Sequence, residues 1–113
     1  MISIETFRQI SLSFEEAVEE PHFEKTSFRV KKKIFATLDL ANKKVVLKLS
    51  AIQQSVFCAF DRLIIYPVNG SWGKQGWTIV ELKKVKKDVL KDALTTSYCN
   101  VAPKRLSEKY KQV

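Results

Sequence analysis

At Thr26 the spacing of apolar residues changes from three to two, and that change decides most of what this chain can fold into. Upstream, Ile4, Phe7 and Ile10 recur every third position behind Ser3, which can cap a helix. The spacing predicts a helix to about Leu12. Phe14 to Glu20 carries four glutamates around Ala17 and Val18, and Pro21 ends helical character there by disfavouring helix at Glu20. Downstream, Phe28 and Val30 alternate with Ser27, Arg29 and Lys31. Ile34 to Leu40 forms a second strand, and Val45 to Leu49 alternates again. Lys31-Lys32-Lys33 reads as one hairpin tip and Ala41-Asn42-Lys43 as the next turn, with Asn42 able to take the left-handed conformation. Short alternating strands with tight turns predict an antiparallel meander.

The helical period then returns. Ser50 can cap a helix that holds Ile52, Val56 and Phe60 at i, i+4 and i+8. Leu63 to Val68 is strand-like and ends at Pro67-Val68-Asn69-Gly70, and Trp77 to Leu82 alternates as a further strand. A last long helix starts near Val85 or Lys86, with Val89, Ala93 and Leu94 as its core stripe and Tyr98 extending it. Pro103 suits the first turn of a closing helix to about Tyr110. The order α-β-β-β-α-β-β-α predicts an α+β two-layer sandwich, an antiparallel sheet with helices on one face. A chain of 113 residues is expected to be one domain, residues 1–113.

Twenty Lys and Arg against twelve Asp and Glu give a net charge of +8, unevenly spread. Residues 1–24 hold one base and six acids, a net of −5; the remainder carries +13. A strongly positive body invites nucleic acid, an anionic membrane or an acidic protein. The same charge also favours solubility and a monomer. No apolar run approaches the roughly 18 residues of a membrane span, and no basic segment leads into an apolar one at the start, so a cytoplasmic protein without membrane attachment is expected. Cys58 and Cys99 lack the spacing of a metal or redox pair and read as buried free thiols.

All three glycines and both tryptophans fall between Asn69 and Trp77. Gly73-Lys74 lacks the residues of a phosphate loop. Trp77, at a strand start, reads as a core-edge residue; Trp72 reads equally as packing or as an aromatic platform beside Lys74. Lys31, Lys32, Lys33, Lys43 and Lys44 sit at two turns that lie at opposite ends of a shared strand, where they either solvate the edge or meet phosphates. Lys83, Lys84, Lys86 and Lys87 precede the last helix, where cations oppose its dipole. His22 is expected to be a hydrogen-bonded structural residue, and Glu15, Glu16, Glu19 and Glu20 a solvated face. No catalytic constellation, cofactor motif or metal-ligand spacing is present, so a non-enzymatic role without cofactor is expected.

The segments Pro21-His22-Phe23, Ser27-Phe28-Arg29-Val30, Lys33 to Leu38, Val46-Leu47-Lys48-Leu49, Pro67 to Thr78 with its Trp-Gly-x-x-Gly-Trp run, and Val101-Ala102-Pro103-Lys104-Arg105-Leu106 resemble, in order, the MmcQ/YjbR family of small bacterial proteins. The resemblance spans about residues 10–108. It implies a CyaY-like or secretion-chaperone-like fold with a double-wing arrangement, and DNA binding, a label the family carries from its shape. Phosphate contacts are then expected from Lys31, Lys32, Lys33, Lys43, Lys44 and Lys74, with Trp72 beside them and Lys104 and Arg105 contributing; Arg105 can equally pair with the acidic N-terminal segment. The alternative is a protein-interaction or chaperone-like module for an acidic partner. The chain departs from the family at Lys31-Lys32, where relatives tend to have glycine, at Lys86-Lys87, where they often have an acidic or hydroxyl cap, and at Phe14-Glu15, where they often have Leu-Pro.

Overall fold

Residues 2–110 are described by the structure, a computed structural model. The first helix, α1 (Ile4–Leu12), begins where Ser3 accepts a hydrogen bond from the Thr6 amide. Four strands follow, β1 (Val18–His22), β2 (Lys25–Val30), β3 (Lys33–Asp39) and β4 (Lys44–Lys48). Helix α2 (Ala51–Cys58) opens with a reciprocal cap between Ser50 and Gln53. Then come β5 (Ile65–Pro67), the short α3 (Ser71–Lys74), β6 (Trp77–Glu81), the long α4 (Lys87–Val101), α5 (Lys104–Ser107) and a closing 3-10 turn, Glu108–Tyr110. The strands form one antiparallel sheet in the order β1-β2-β3-β4-β6-β5. This is the expected α+β layering, with two elements that sequence periodicity does not announce.

The first is β1. Its Glu19-Glu20-Pro21 stretch breaks every strand signal, yet it pairs with β2 from Val18↔Arg29 to His22↔Lys25. Proline is tolerated because β1 is a sheet edge, where a missing N–H need not break a ladder. The second is α3, inside the expected tryptophan loop. Gly76 makes that loop fit: its φ is 103°, and a Cβ there would lie 1.7 Å from the Leu49 carbonyl oxygen.

One face of the sheet makes the core. Phe28, Val30, Phe35, Leu38, Val45, Leu47 and Val80 are buried beneath Phe7 of α1, Leu90, Leu94 and Tyr98 of α4, and Leu106 of α5. Phe7 meets Phe28 edge-on at 5.3 Å, and Phe14 stacks on Tyr98 at 4.8 Å. Tyr98 is fully buried, its hydroxyl donating to the Glu15 carbonyl, and loss of solvent pushes its pKa up to about 12. In α4 the buried stripe is Leu90, Ala93, Leu94, Ser97 and Tyr98, with Val89 only half-buried.

A bulge in β3 shapes this face. Phe28 pairs with Ala36 and Arg29 with Ile34, so Phe35 is an extra residue on β3. Phe35 and Ala36 are consequently both fully buried. Ser97 bridges the gap between strands: its hydroxyl donates to the Phe35 carbonyl at 2.6 Å and accepts from the Lys48 amide at 2.8 Å.

The opposite face of the sheet carries half-buried residues, among them Ile34, Thr37, Val46, Tyr66, Trp77 and Ile79. Cys58 is a buried thiol with its pKa raised by loss of solvent, and the Cys99 thiol donates to the Ser107 carbonyl at 3.7 Å. No helix of the described residues is long and apolar enough to cross a membrane.

Candidate nucleic-acid interface

The β2–β3 turn is two residues long. Val30 pairs with Lys33, which leaves Lys31 and Lys32 as the loop, at φ 50° and 69°. Two positive φ values are what the tight right-twisted hairpin demands, and glycine or asparagine normally supply them. Two lysines held there carry backbone strain. Lys31 is not a free cation: its ammonium lies 2.7 Å from Glu16, which also takes Arg105 at 3.0 Å. These partners hold the Glu16 carboxyl below its ordinary range, Lys31 first and Arg105 second. Lys104 pairs with Glu108 at 3.8 Å. Lys32, Lys33 and Lys74 have no acidic partner within 4 Å among the described residues.

The tryptophan loop lies at this same end of the sheet, since Trp77 pairs with Lys48, the last residue of β4, level with the first residues of β3. Trp77 is half-buried, with the Lys48 ammonium 5.5 Å from its ring centroid. Trp72 is 60% exposed. Gln54 of α2 ties the loop down through the Gly73 carbonyl and the Thr78 hydroxyl.

The β3–β4 turn lies at the other end, six residues along β3, or about 20 Å away. Asp39 holds it, accepting from both the Asn42 amide and its side chain, and its carboxyl is lowered by those bonds. The left-handed residue is Lys43, at φ 53°, rather than Asn42. Lys44 is tied to Glu81 at 3.6 Å, and the Tyr66 oxygen, then Glu81, hold its ammonium above the ordinary range. Lys43 has no such acid, and its carbonyl accepts from the Leu82 amide at 3.0 Å. That bond sets the turn beside Lys83, Lys84, Lys86 and Lys87. None of these five lysines has an acidic partner within 4 Å among the described residues. Lys86 occupies the cap position of α4 and makes no side-chain cap bond.

The expected site residues therefore divide in two. Lys31, Lys32, Lys33, Trp72, Lys74, Lys104 and Arg105 lie at one end, and Lys43 and Lys44 at the other. Four of the nine, Lys31, Lys44, Lys104 and Arg105, are engaged by acids. The sequence reading gave little weight to the lysines before α4, whose approach to Lys43 is a tertiary contact. It also passed over Phe23, which sits at the β1–β2 tip with φ 58° and 94% of its surface exposed.

Two further expectations are corrected. The glutamates do not form one solvated face: Glu15 pairs with Lys109, Glu16 with Lys31 and Arg105, Glu19 with Arg8 and Glu20 with Arg29. The Arg8–Glu19 and Arg105–Glu16 pairs tie the acidic segment to distant helices. His22 makes no side-chain hydrogen bond among the described residues; its ring rests 4.9 Å from Phe23, on the rim of an open-face cleft.

Comparison with known families places these features. The YjbR family model matches residues 12–100, a span that includes every strand and most of α4. The chain belongs to the YjbR family. This YjbR chain also matches the crystal structure of Deinococcus radiodurans protein DR2400, a DUF419 protein of the same family, with a TM-score of 0.80 over 97% of this chain and 88% of that one. Identity between the two is 20%, so the likeness concerns the fold. Among curated proteins there is no match. The strained lysine tip, the uncapped α4 and the paired glutamates are accordingly read from this YjbR chain itself.

Proposed function

We propose that this protein is a non-catalytic, cytoplasmic DNA-binding module that holds its ligand mainly through phosphates. The observation that carries the reading is the gathering of Lys43, Lys83, Lys84, Lys86 and Lys87 at one end of the sheet, with no acidic partner within 4 Å among the described residues. Cations before a helix start work against its dipole, by about 0.3–1 kcal/mol each. Lys32 and Lys33 at the β2–β3 tip and Lys74 in the tryptophan loop lie at the opposite end. Lysines act as point charges, so the contacts position the protein and carry little sequence information.

Fluorescence anisotropy of labelled duplex and single-stranded DNA across a salt series tests this. The expected slope of log K against log salt is about −3 to −5, equivalent to roughly three to six neutralised phosphates. Replacing the five clustered lysines by glutamine is expected to remove most of that slope. Replacing Lys32, Lys33 and Lys74 removes the lesser part. If neither variant weakens binding, or the parent does not bind at low salt, the DNA reading falls.

A second reading has its own observation. The open face of the sheet holds a cleft of about 470 Å³ between His22 and Lys25 on one side and Val68, Trp72 and Trp77 on the other. Its apolar floor suits a protein-interaction module for an acidic partner, whose binding would resist salt better than phosphate binding does.

A further inference from the structure

Helix α2 carries its apolar stripe on the outside. Ile52 is 79% exposed, Val56 57%, Phe60 64% and Leu63 75%. The periodic positions 52, 56 and 60 thus mark a face that the fold leaves uncovered, while Cys58 and the half-buried Phe57 lie on the covered side. Beyond Phe60 the stripe gives way to a groove of about 420 Å³ that also holds Asp61, Lys84, Lys86 and Asp88, so the uncharged face is the stripe itself.

We propose that this face is the contact between two copies of the chain. Charge selects the occupant. From Leu49 to Phe60 the sequence has twelve residues without a single charge, in a protein of net +8. Two copies repel each other through their basic surfaces, and along this stripe they can approach with no like charges opposed. An acidic partner would find no cation along the stripe to pair with. A membrane surface would call for lysine or arginine on the polar side of the helix, where α2 has Gln53 and Ser55. The stripe is also self-complementary: in a two-fold antiparallel contact Val56 sits on the axis and Ile52 of each copy faces Phe60 of the other. The high net charge, which by itself favours a monomer, is thereby kept off the stripe.

The test is sedimentation equilibrium of the full chain from about 5 to about 500 µM, in low and high salt. The expected result is a mass rising from 13.0 kDa toward twice that value, with association strengthened by salt as repulsion between the copies is screened. Val56→Lys puts two ammonium groups at the axis and is expected to weaken association at least about tenfold; Ile52→Lys does the same from the flank. Both sites are exposed, so thermal unfolding of dilute protein stays at the parent value, which separates lost contact from lost fold. A parent that remains at 13.0 kDa throughout overturns the proposal, and so does an association that survives both lysine variants.

Discussion

Lys32→Gly is expected to stabilise the protein and weaken its hold on DNA. Lys32 sits at φ 69° in a two-residue turn. A side chain in that conformation costs about 1–2 kcal/mol. Glycine relieves this, but its freer unfolded chain takes back about 0.4–1 kcal/mol. The net gain is about 0.5–1 kcal/mol, or about 2–6 °C in Tm for a chain of this size. Lys32 is the right position because its ammonium has no acidic partner among the described residues, whereas the Lys31–Glu16 pair would blur the result. Lys32→Ala is the control: it removes the same charge but keeps a Cβ, so its Tm stays near the parent. Both variants are expected to reduce the salt slope by about 0.9 if the ammonium meets a phosphate. Calorimetry and anisotropy on the three proteins decide the matter. A Lys32→Gly protein no more stable than Lys32→Ala refutes the strain argument. Raised stability with unchanged binding refutes the role of this tip in holding DNA.

Ser97→Ala leaves the buried Phe35 carbonyl and Lys48 amide without their shared partner, and is expected to cost about 2–4 kcal/mol in urea unfolding; a loss below about 1 kcal/mol would mean the two groups find each other without the hydroxyl. Tyr98 keeps its proton in the folded protein to about pH 12, while an unfolded tyrosine ionises near pH 10. The unfolded state therefore sheds protons first, and stability falls as pH rises between those values. Tyr98→Phe is expected to flatten that alkaline slope by up to one proton, measured by denaturant unfolding at several pH values; an unchanged slope would assign it to other groups.

Apart from α3, the helices were legible because their signals are local. Ser3 and Ser50 cap where their side chains predict, and Pro103 marks the last helix. The strands of β2, β3 and β4 follow from alternation alone. Strand β1 was hidden because Glu19, Glu20 and Pro21 find what they need only in three dimensions: an edge position for the proline, Arg8 and Arg29 for the acids. The candidate site was legible as composition, in the lysine-rich turns, but not as electrostatics. Nothing local reveals that Glu16 takes both Lys31 and Arg105, or that Lys43 lies against the lysines before α4. Periodicity likewise marked the stripe of Ile52, Val56 and Phe60 without telling which side of α2 would be covered.

The extra residue at Phe35 has a directional meaning. Because Phe35 and Ala36 both turn inward, Ile34 emerges on the open face and Lys33 is carried toward the helices, on the side where Lys31 meets Glu16. The bulge acts as a swivel for the whole lysine tip. Straightening the strand with Phe35 kept, opposite Arg29, would turn Phe35 outward and Ile34 inward and carry Lys33 across to the cleft side instead of toward α5, whereas deleting Phe35 would leave the tip where it is. Where this turn points is thus written in the core, and two chains with identical lysine tips but different bulges would present them to different partners.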